Sequence, residues 1–454
     1  MKVDKKSLTD FAASQRSAFE SKLKEFVEIP SVSADPARER DVRRAAERAA
    51  ITVREFGGDA KILETGGHPM VHGRFNSNAK RTVTIYNHLD VQPASRETEA
   101  WKTDPFKFTK VGDRYYGRGT TDDKGPALSA LWGMRAARQA GVPLNVNVLW
   151  ELEEEIGSLN FESAIRKHAE KLKTDHVIVS DTIWVSRDRP AAPAGLRGLQ
   201  GFTLRLEVGQ TDQHSGVTGG AARNPIGELM KLVSQMYDGQ TGHVKMKGFY
   251  DDVEKPSSKE LDDFSKSGFT VAQFKKDHLF KSIRTNDPIE VMKRIWAMPT
   301  FEVHGLVGGY TGPGIKTIIP PRAEVKISTR LVPNQDPAKI IKLVEAFVNK
   351  NNPDVEVTLE NSIYPYSAPT SGPLADAVKS AMKFAFDREP VFVREGGSIG
   401  AVSSMEKVLK CPIMFLGLSL PEHGYHAPNE NFDCQQASGG MVAFAKYFEN
   451  VSKL

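Results

Sequence analysis

Two cysteines, Cys411 and Cys434, are all the thiol chemistry in a chain of 454 residues, and neither lies in the paired spacing of a zinc ribbon. No disulfide framework holds such a fold, and any metal it binds must be held by nitrogen and oxygen. An excess of one charge is missing too: 61 basic residues face 57 acidic ones, and a net charge of +4 gives no electrostatic case for nucleic acid. No run of about 18 apolar residues occurs. The lysine-rich start, Met1 to Asp10, has no apolar stretch behind it, so the expectation is a cytoplasmic protein without a membrane partner. Internal repeats and low-complexity tracts are also missing. What is present is the balance of a globular protein, 39% hydrophobic and 26% charged. The length predicts two or three domains.

Apolar runs of strand character fall at residues 83–86, 144–150, 177–180 and 413–416. Helical periodicity fills 10–29 behind a Thr9 cap, 38–56 up to the stop at Gly57 and Gly58, and 126–140. This alternation predicts an α/β fold, a mostly parallel sheet covered by helices. From Gly201 the rhythm changes to strand 202–208, helix 225–237, strands 301–306 and 323–331, helix 337–349 and strand 355–359. That order is the split βαβ of an α+β, ferredoxin-like domain. A polar, lysine-rich stretch at 245–287 reads as an insertion within it. Alternation resumes after a Pro-rich and Ser-rich connection at 364–373. The expected division is therefore 1–199 and 363–454 for the larger domain, with 200–362 inserted.

Polar residues of one chemical kind gather at these elements. His88 and Asp90, Glu154 and Glu155, Asp181 and His426 follow the strands, and Asp122 precedes a helix. In an open α/β sheet, functional groups collect beyond the carboxyl ends of the strands, so residues distant in sequence are expected to meet. Two imidazoles and five carboxylates form a set for two metal ions. Taken singly, each has a plainer reading. His88-Leu89-Asp90 is commonly a loop hydrogen-bond pair, although the spacing lets His88 ligate while Asp90 orients the ring. One acidic residue would suffice to cap the helix after Gly117–Gly125, and Asp122-Asp123 supplies two. Glu151, Glu153, Glu154 and Glu155 could be a solvated loop, or could divide metal binding from general-base work. His423 competes with His426. The residues alone choose neither among the glutamates nor between the histidines. Oxygen-rich, thiolate-free ligation suits zinc, manganese or cobalt. Such a pair supports hydrolysis, by lowering the pKa of a shared water and polarising the carbonyl it attacks.

These ordered motifs, from Ile29-Pro30-Ser31-Val32-Ser33 to the loop of His426, resemble a dinuclear zinc metallopeptidase family over nearly the whole chain. That family includes carnosinase-type dipeptidases, carboxypeptidase G, aminoacylase-1, acetylornithine deacetylase and succinyl-diaminopimelate desuccinylase, and the dipeptidase branch is the nearer. The resemblance implies two divalent ions, zinc first, with His88 and Asp181 on one, Glu155 and His426 on the other, and Asp122 bridging. It makes Asp90 the residue that orients His88. It aligns Glu154-Glu155-Ile156-Gly157-Ser158 with the family's Glu-Glu-x-Gly-Ser, which makes Glu154 the general base, and it prefers His426 to His423. His214, in Asp212-Gln213-His214-Ser215-Gly216, resembles the histidine that stabilises an oxyanion across a subunit interface. Arg330 resembles an arginine that grips a substrate carboxylate, and Thr317, Gly397 and Ser398 lie in further substrate-contacting segments. A homodimer through a lid domain is implied, and a ferredoxin-like sheet offers an exposed edge for it. Carnosinases place a histidine near residues 364–374, and this chain has none there, which weighs against carnosine itself.

The expected function is metal-dependent cleavage of a dipeptide or of a C-terminal residue. Two alternatives stand beside it: deacylation of an N-acyl amino acid, and a non-catalytic binding protein on the same fold.

Overall fold

In the computed structural model, which describes residues 2–454, the strand Thr82–His88 lies inside a six-stranded sheet. It pairs in parallel with Asn145–Glu151 on one side and with His176–Val179 on the other. Ile413–Phe415 extends the parallel part beyond His176–Val179. The opposite edge is an antiparallel hairpin, Asp59–Leu63 and Met70–Phe75, which the predicted alternation of strands and helices does not contain.

Every residue of Asn145–Glu151 is buried, which explains why this strand reads as an unbroken apolar run. Side chains alternate between faces, so Ile85 and Val148 enter one hydrophobic core while Tyr86 and Leu149 enter the other. Each buried aliphatic of this kind contributes about 1.5–3 kcal/mol. Helices Lys5–Val27, Lys124–Gln139 and Cys434–Val451 pack together on the first core. Lys124–Gln139 and Cys434–Val451 approach so closely at Gly133 that an added Cβ would lie 2.5 Å from the Cβ of Phe444. Among the described residues, no helix is long and apolar enough to cross a membrane.

The smaller unit follows the expected β-α-β-β-α-β order: Gly198–Glu207, Pro225–Met236, Thr300–Gly308, Arg322–Leu331, Pro337–Asn351 and Glu356–Ile363. Its antiparallel sheet has Arg322–Leu331 and Gly198–Glu207 inside, with Thr300–Gly308 and Glu356–Ile363 at the edges. Arg322–Leu331 alternates buried and less buried residues, as a sheet with one covered face requires. A separate core of Phe202, Leu204, Val325 and Val344 holds this unit.

The segment 245–287 does more than extend the smaller unit. It carries helices Ser258–Lys266 and Val271–Asp277. Ser257 and Glu260 form a capping box at the first of them. The same Glu260 accepts from Arg394 Nε at 3.0 Å and Nη2 at 2.7 Å, which pins the helix to the strand Val391–Glu395 outside the smaller unit.

Candidate metal centre

Strand register places the first ligands. His88 ends its strand opposite Glu151 of the neighbouring parallel strand, and Asp181 follows His176–Val179. Both lie at the carboxyl edge of the sheet. His88 is fully buried, and its Nδ1 donates to the Asp90 carbonyl at 3.0 Å. A carbonyl can only accept, so a proton sits on Nδ1, and a ring carrying that proton alone presents the Nε2 lone pair. That lone pair faces oxygens: Asp122 Oδ1 at 3.0 Å and Asp181 Oδ2 at 3.8 Å. Two acceptors facing one another require either a second proton on the ring or a cation between them.

The other half of Asp122 repeats the pattern. Its Oδ2 is buried without a hydrogen-bond partner among the described residues, although His426 Nε2 stands 3.0 Å away. His426 Nε2 also lies 3.1 Å from Glu155 Oε2. Each oxygen of Asp122 thus serves a different imidazole, which is the arrangement of a bridging carboxylate. His88, Glu154 and Asp181 form one group whose candidate ligand atoms lie within 4.8 Å of one another, and His88, Asp122 and Glu155 form a second. The donor set and the orphaned oxygen fit two divalent ions.

Asp90 organises the turn that follows. Its carboxylate accepts from Ser33 Oγ at 2.7 Å and from the backbone N–H groups of Glu154 at 3.2 Å and Glu155 at 3.0 Å. The His88 ring is held by the Asp90 carbonyl, with the carboxylate farther off at 3.5 Å. Burial pushes the Glu154 carboxyl well above its usual range; His88 opposes this, and Asp181 and Glu155 add to it. Cations bound among these carboxylates would reverse that balance.

The structure separates residues that the sequence leaves equivalent. Glu153 points away from the cluster: its oxygens accept from the His68 backbone at 2.9 Å and from Asn160 N and Nδ2 at 3.1 and 2.9 Å. Glu151 accepts from Tyr86 Oη at 2.6 Å. His423 is fully buried, with Nδ1 accepting from Leu420 N and Nε2 bonded to Asp433, so neither nitrogen is free. His426 remains available.

Three supporting residues escape sequence reasoning. Gln92 donates to Glu155 Oε1 from its backbone at 3.1 Å and to Oε2 from its side chain at 2.7 Å. Tyr425 Oη donates to Asp181 Oδ1 at 3.3 Å. Glu430, two residues beyond Pro428, accepts from Arg118 Nη1 at 2.9 Å and from the N–H groups of Gly119, Thr121 and Asp122 at 3.0, 2.9 and 3.1 Å. It shapes the loop that presents Asp122. Replacing Glu430 with Ala would strand the buried Arg118 charge and is expected to cost about 3–5 kcal/mol in chemical denaturation. A loss below about 1 kcal/mol would show that water replaces the carboxylate.

A cavity of about 510 Å³ opens onto the cluster, lined by Asp122, Glu154, Asp181 and His426 together with Arg330, Gly397 and Ser398. Arg330 Nη1 donates to Ser398 Oγ at 2.7 Å; burial lowers its pKa, with no carboxylate countering it. His214 and Thr317 are elsewhere. His214 pairs with Ile318 on a short ladder of the smaller unit and Thr317 immediately precedes that strand; both are exposed, Ser215 N donates to the Thr317 carbonyl at 3.0 Å, and His214 Nδ1 accepts from Gly216 N. Within one chain, neither residue lines the cavity.

The signature of peptidase family M20/M25/M40 matches residues 84–450. The chain belongs to this family. Among its relatives it is 32% identical to the Cys-Gly metallodipeptidase dug1 of Schizosaccharomyces pombe over 476 residues, with all of both chains covered. It is similar in structure to the M20 family metallo-carboxypeptidase Sso-CP2 from Sulfolobus solfataricus, with a TM-score of 0.89, 33% identity and coverage of 95% of this chain and 98% of that one. Human carnosine dipeptidase 1 matches with a TM-score of 0.86 and 27% identity over 99% of each chain. The expected family, with its dipeptidase relatives, is therefore borne out, and this M20/M25/M40 member is a metallopeptidase.

Proposed function

We propose that this protein is a dinuclear, metal-dependent dipeptidase. The observation that carries the reading is that one cavity brings together the Asp122-centred cluster, Arg330 and Glu395, groups matched to the three parts of a zwitterionic dipeptide. The Asp122-centred cluster faces the amide to be cut. Arg330, whose pKa burial lowers and for which no carboxylate partner stands among the described residues, fits the C-terminal carboxylate, with Gly397 and Ser398 beside it. Glu395, with Oε2 buried and unpartnered among the described residues, fits the N-terminal ammonium, whose charge would hold ionised a carboxyl that burial pushes well above its usual range.

His88 and Asp181 would hold one ion, His426 and Glu155 the other, and Asp122 both. Nitrogen and oxygen donors favour zinc, with manganese or cobalt as alternatives. When bound, the ions supply an activated water and polarise the scissile carbonyl. Glu154 takes a proton at its carboxylate and delivers it to the leaving amine. Asp90 holds the Glu154-Glu155 backbone and, through its carbonyl, the tautomer of His88. His214 and Thr317 act on the partner's substrate in a homodimer built on the smaller unit, and His214 stabilises the oxyanion. Residues 1–199 and 363–454 form the catalytic domain and 200–362 the lid.

Deacylation of N-acyl amino acids is the second reading, because it would use the same centre and Arg330. Glu395 favours the first, since an acyl group brings no ammonium to that carboxylate. A metal-supplemented panel of dipeptides, longer peptides and N-acyl amino acids, with product identification, tests the assignment. Dipeptides are expected to be cleaved; cleavage of N-acyl amino acids alone would overturn it. Glu395→Gln is expected to lower kcat/KM for free dipeptides by about 10- to 100-fold, the worth of a charge-assisted hydrogen bond, while sparing N-acetylated ones. An unchanged ratio at full metal content would remove Glu395 from ammonium binding.

A further inference from the structure

The lysine-rich segment 245–287 brings aromatic rings to the cavity. Phe269, Phe274 and His278 line it, beside Ile295 and Trp296. These rings form a continuous ladder. Phe264 meets Trp296 at a centroid distance of 5.1 Å, Trp296 meets Phe269 at 6.1 Å, Phe269 meets Phe274 at 5.4 Å, and Phe274 meets His278 at 4.7 Å. One end is anchored: Phe264 is buried in a small core with Met292 and Ala297. At the other end, Phe269 and Phe274 are only half-buried, and their remaining surface faces the space that also holds Asp122, Glu154 and Asp181.

The segment is also held in place from outside. Arg394, which grips Glu260 through two nitrogens, is the neighbour of Glu395 on the strand Val391–Glu395. Both N–H groups converge on one oxygen, Glu260 Oε1, a charge-assisted contact that holds the helix against the strand. The ladder and the proposed ammonium site are thereby carried on one connected scaffold. A cavity of about 510 Å³ lies in the range that takes a whole small ligand, and a peptide of two small residues leaves much of it unfilled. The apolar wall is what an additional side chain would meet.

We propose that residues 245–287, together with the adjoining Trp296, form the specificity wall of this site, with Phe269, Phe274 and Trp296 packing against one bulky apolar side chain of the substrate. The inference rests on the dipeptidase reading and names the substrates within it. Peptides carrying Leu or Phe are favoured over those built from Gly and Ala, because only the larger side chains remove the exposed ring faces from water.

The test uses full-length, metal-loaded wild type, Phe274→Ala and Phe274→Leu against two series, Xaa-Gly and Gly-Xaa, with Xaa as Gly, Ala, Leu or Phe. Turnover is measured as kcat/KM, and binding is measured in parallel by calorimetry. In wild type, kcat/KM is expected to rise by about 10- to 100-fold from Gly to Leu or Phe in at least one series, in line with burying one such side chain. The series that rises identifies the position the wall reads. Phe274→Ala should collapse the Leu-to-Gly ratio toward one, and Phe274→Leu should keep most of it. A flat wild-type response in both series, or an equal loss on every peptide in Phe274→Ala, overturns the proposal. Failure of the dipeptidase reading is distinct, because it shows as binding with side-chain preference and no cleavage.

Discussion

Glu154→Gln is expected to lower kcat by about 10²- to 10⁴-fold, the range for removing a positioned general base, with two equivalents of metal still bound. The amide keeps the size and most of the packing of the carboxylate and cannot accept the proton. Metal content is the deciding companion measurement, because Glu154 lies close enough to His88 and Asp181 to be a ligand itself. A base and a ligand give different results. A variant with intact metal and little turnover places Glu154 in proton transfer, whereas one that loses an ion makes it part of the centre. Full activity with full metal content removes both roles and would move attention to Glu155, whose oxygens are otherwise occupied by Gln92. Substrate binding should survive in the inactive protein, since Arg330 and Glu395 are untouched.

What could be read from the sequence follows from burial. The parallel strands announce themselves as apolar runs because both of their faces are covered, and the rule that functional groups sit beyond their carboxyl ends then points to His88, Asp122, Asp181 and the Glu154 region. The choice among neighbouring glutamates could not be read. Glu153 is turned away by partners at His68 and Asn160, one of them 85 residues distant, and no local signal encodes that contact. The same holds for His423, consumed by Asp433 and the Leu420 backbone. Glu430 looks like any loop acid until the Gly117–Asp122 turn closes over it. In 245–287 a signal did exist, since phenylalanines at 264, 269, 274 and 280 recur every five or six residues within the lysine-rich background. The average polarity of the segment hides them. Glu395 is hidden differently: it stands two residues before Gly397, in a segment whose small residues draw the resemblance.

Mixing two inactive proteins should restore activity if His214 works across a subunit interface. His214→Ala lacks the proposed oxyanion donor, a loss expected to cost about 10²- to 10³-fold in kcat, and Glu154→Gln lacks the base. In a mixed dimer, the site that keeps Glu154 faces the partner that keeps His214, so one of its two sites is whole. Random exchange makes half of the dimers mixed, and about a quarter of wild-type activity should return. The fold gives this expectation a physical basis. His214 and Thr317 are exposed and lie outside the cavity of their own chain. The edge strand Thr300–Gly308 shows Leu306 and Val307 at 46% and 58% exposure, and Met230 on Pro225–Met236 is 58% exposed. Apolar residues along an open sheet edge are what a second copy would cover. No recovery on mixing, with exchange of subunits verified by mass, would confine His214 to its own chain and require the lid to swing His214 to the Asp122 cluster. Recovery would make each catalytic centre dependent on the neighbouring lid, so that dilution below the dimer constant should abolish turnover while leaving the metal-binding residues of each chain intact.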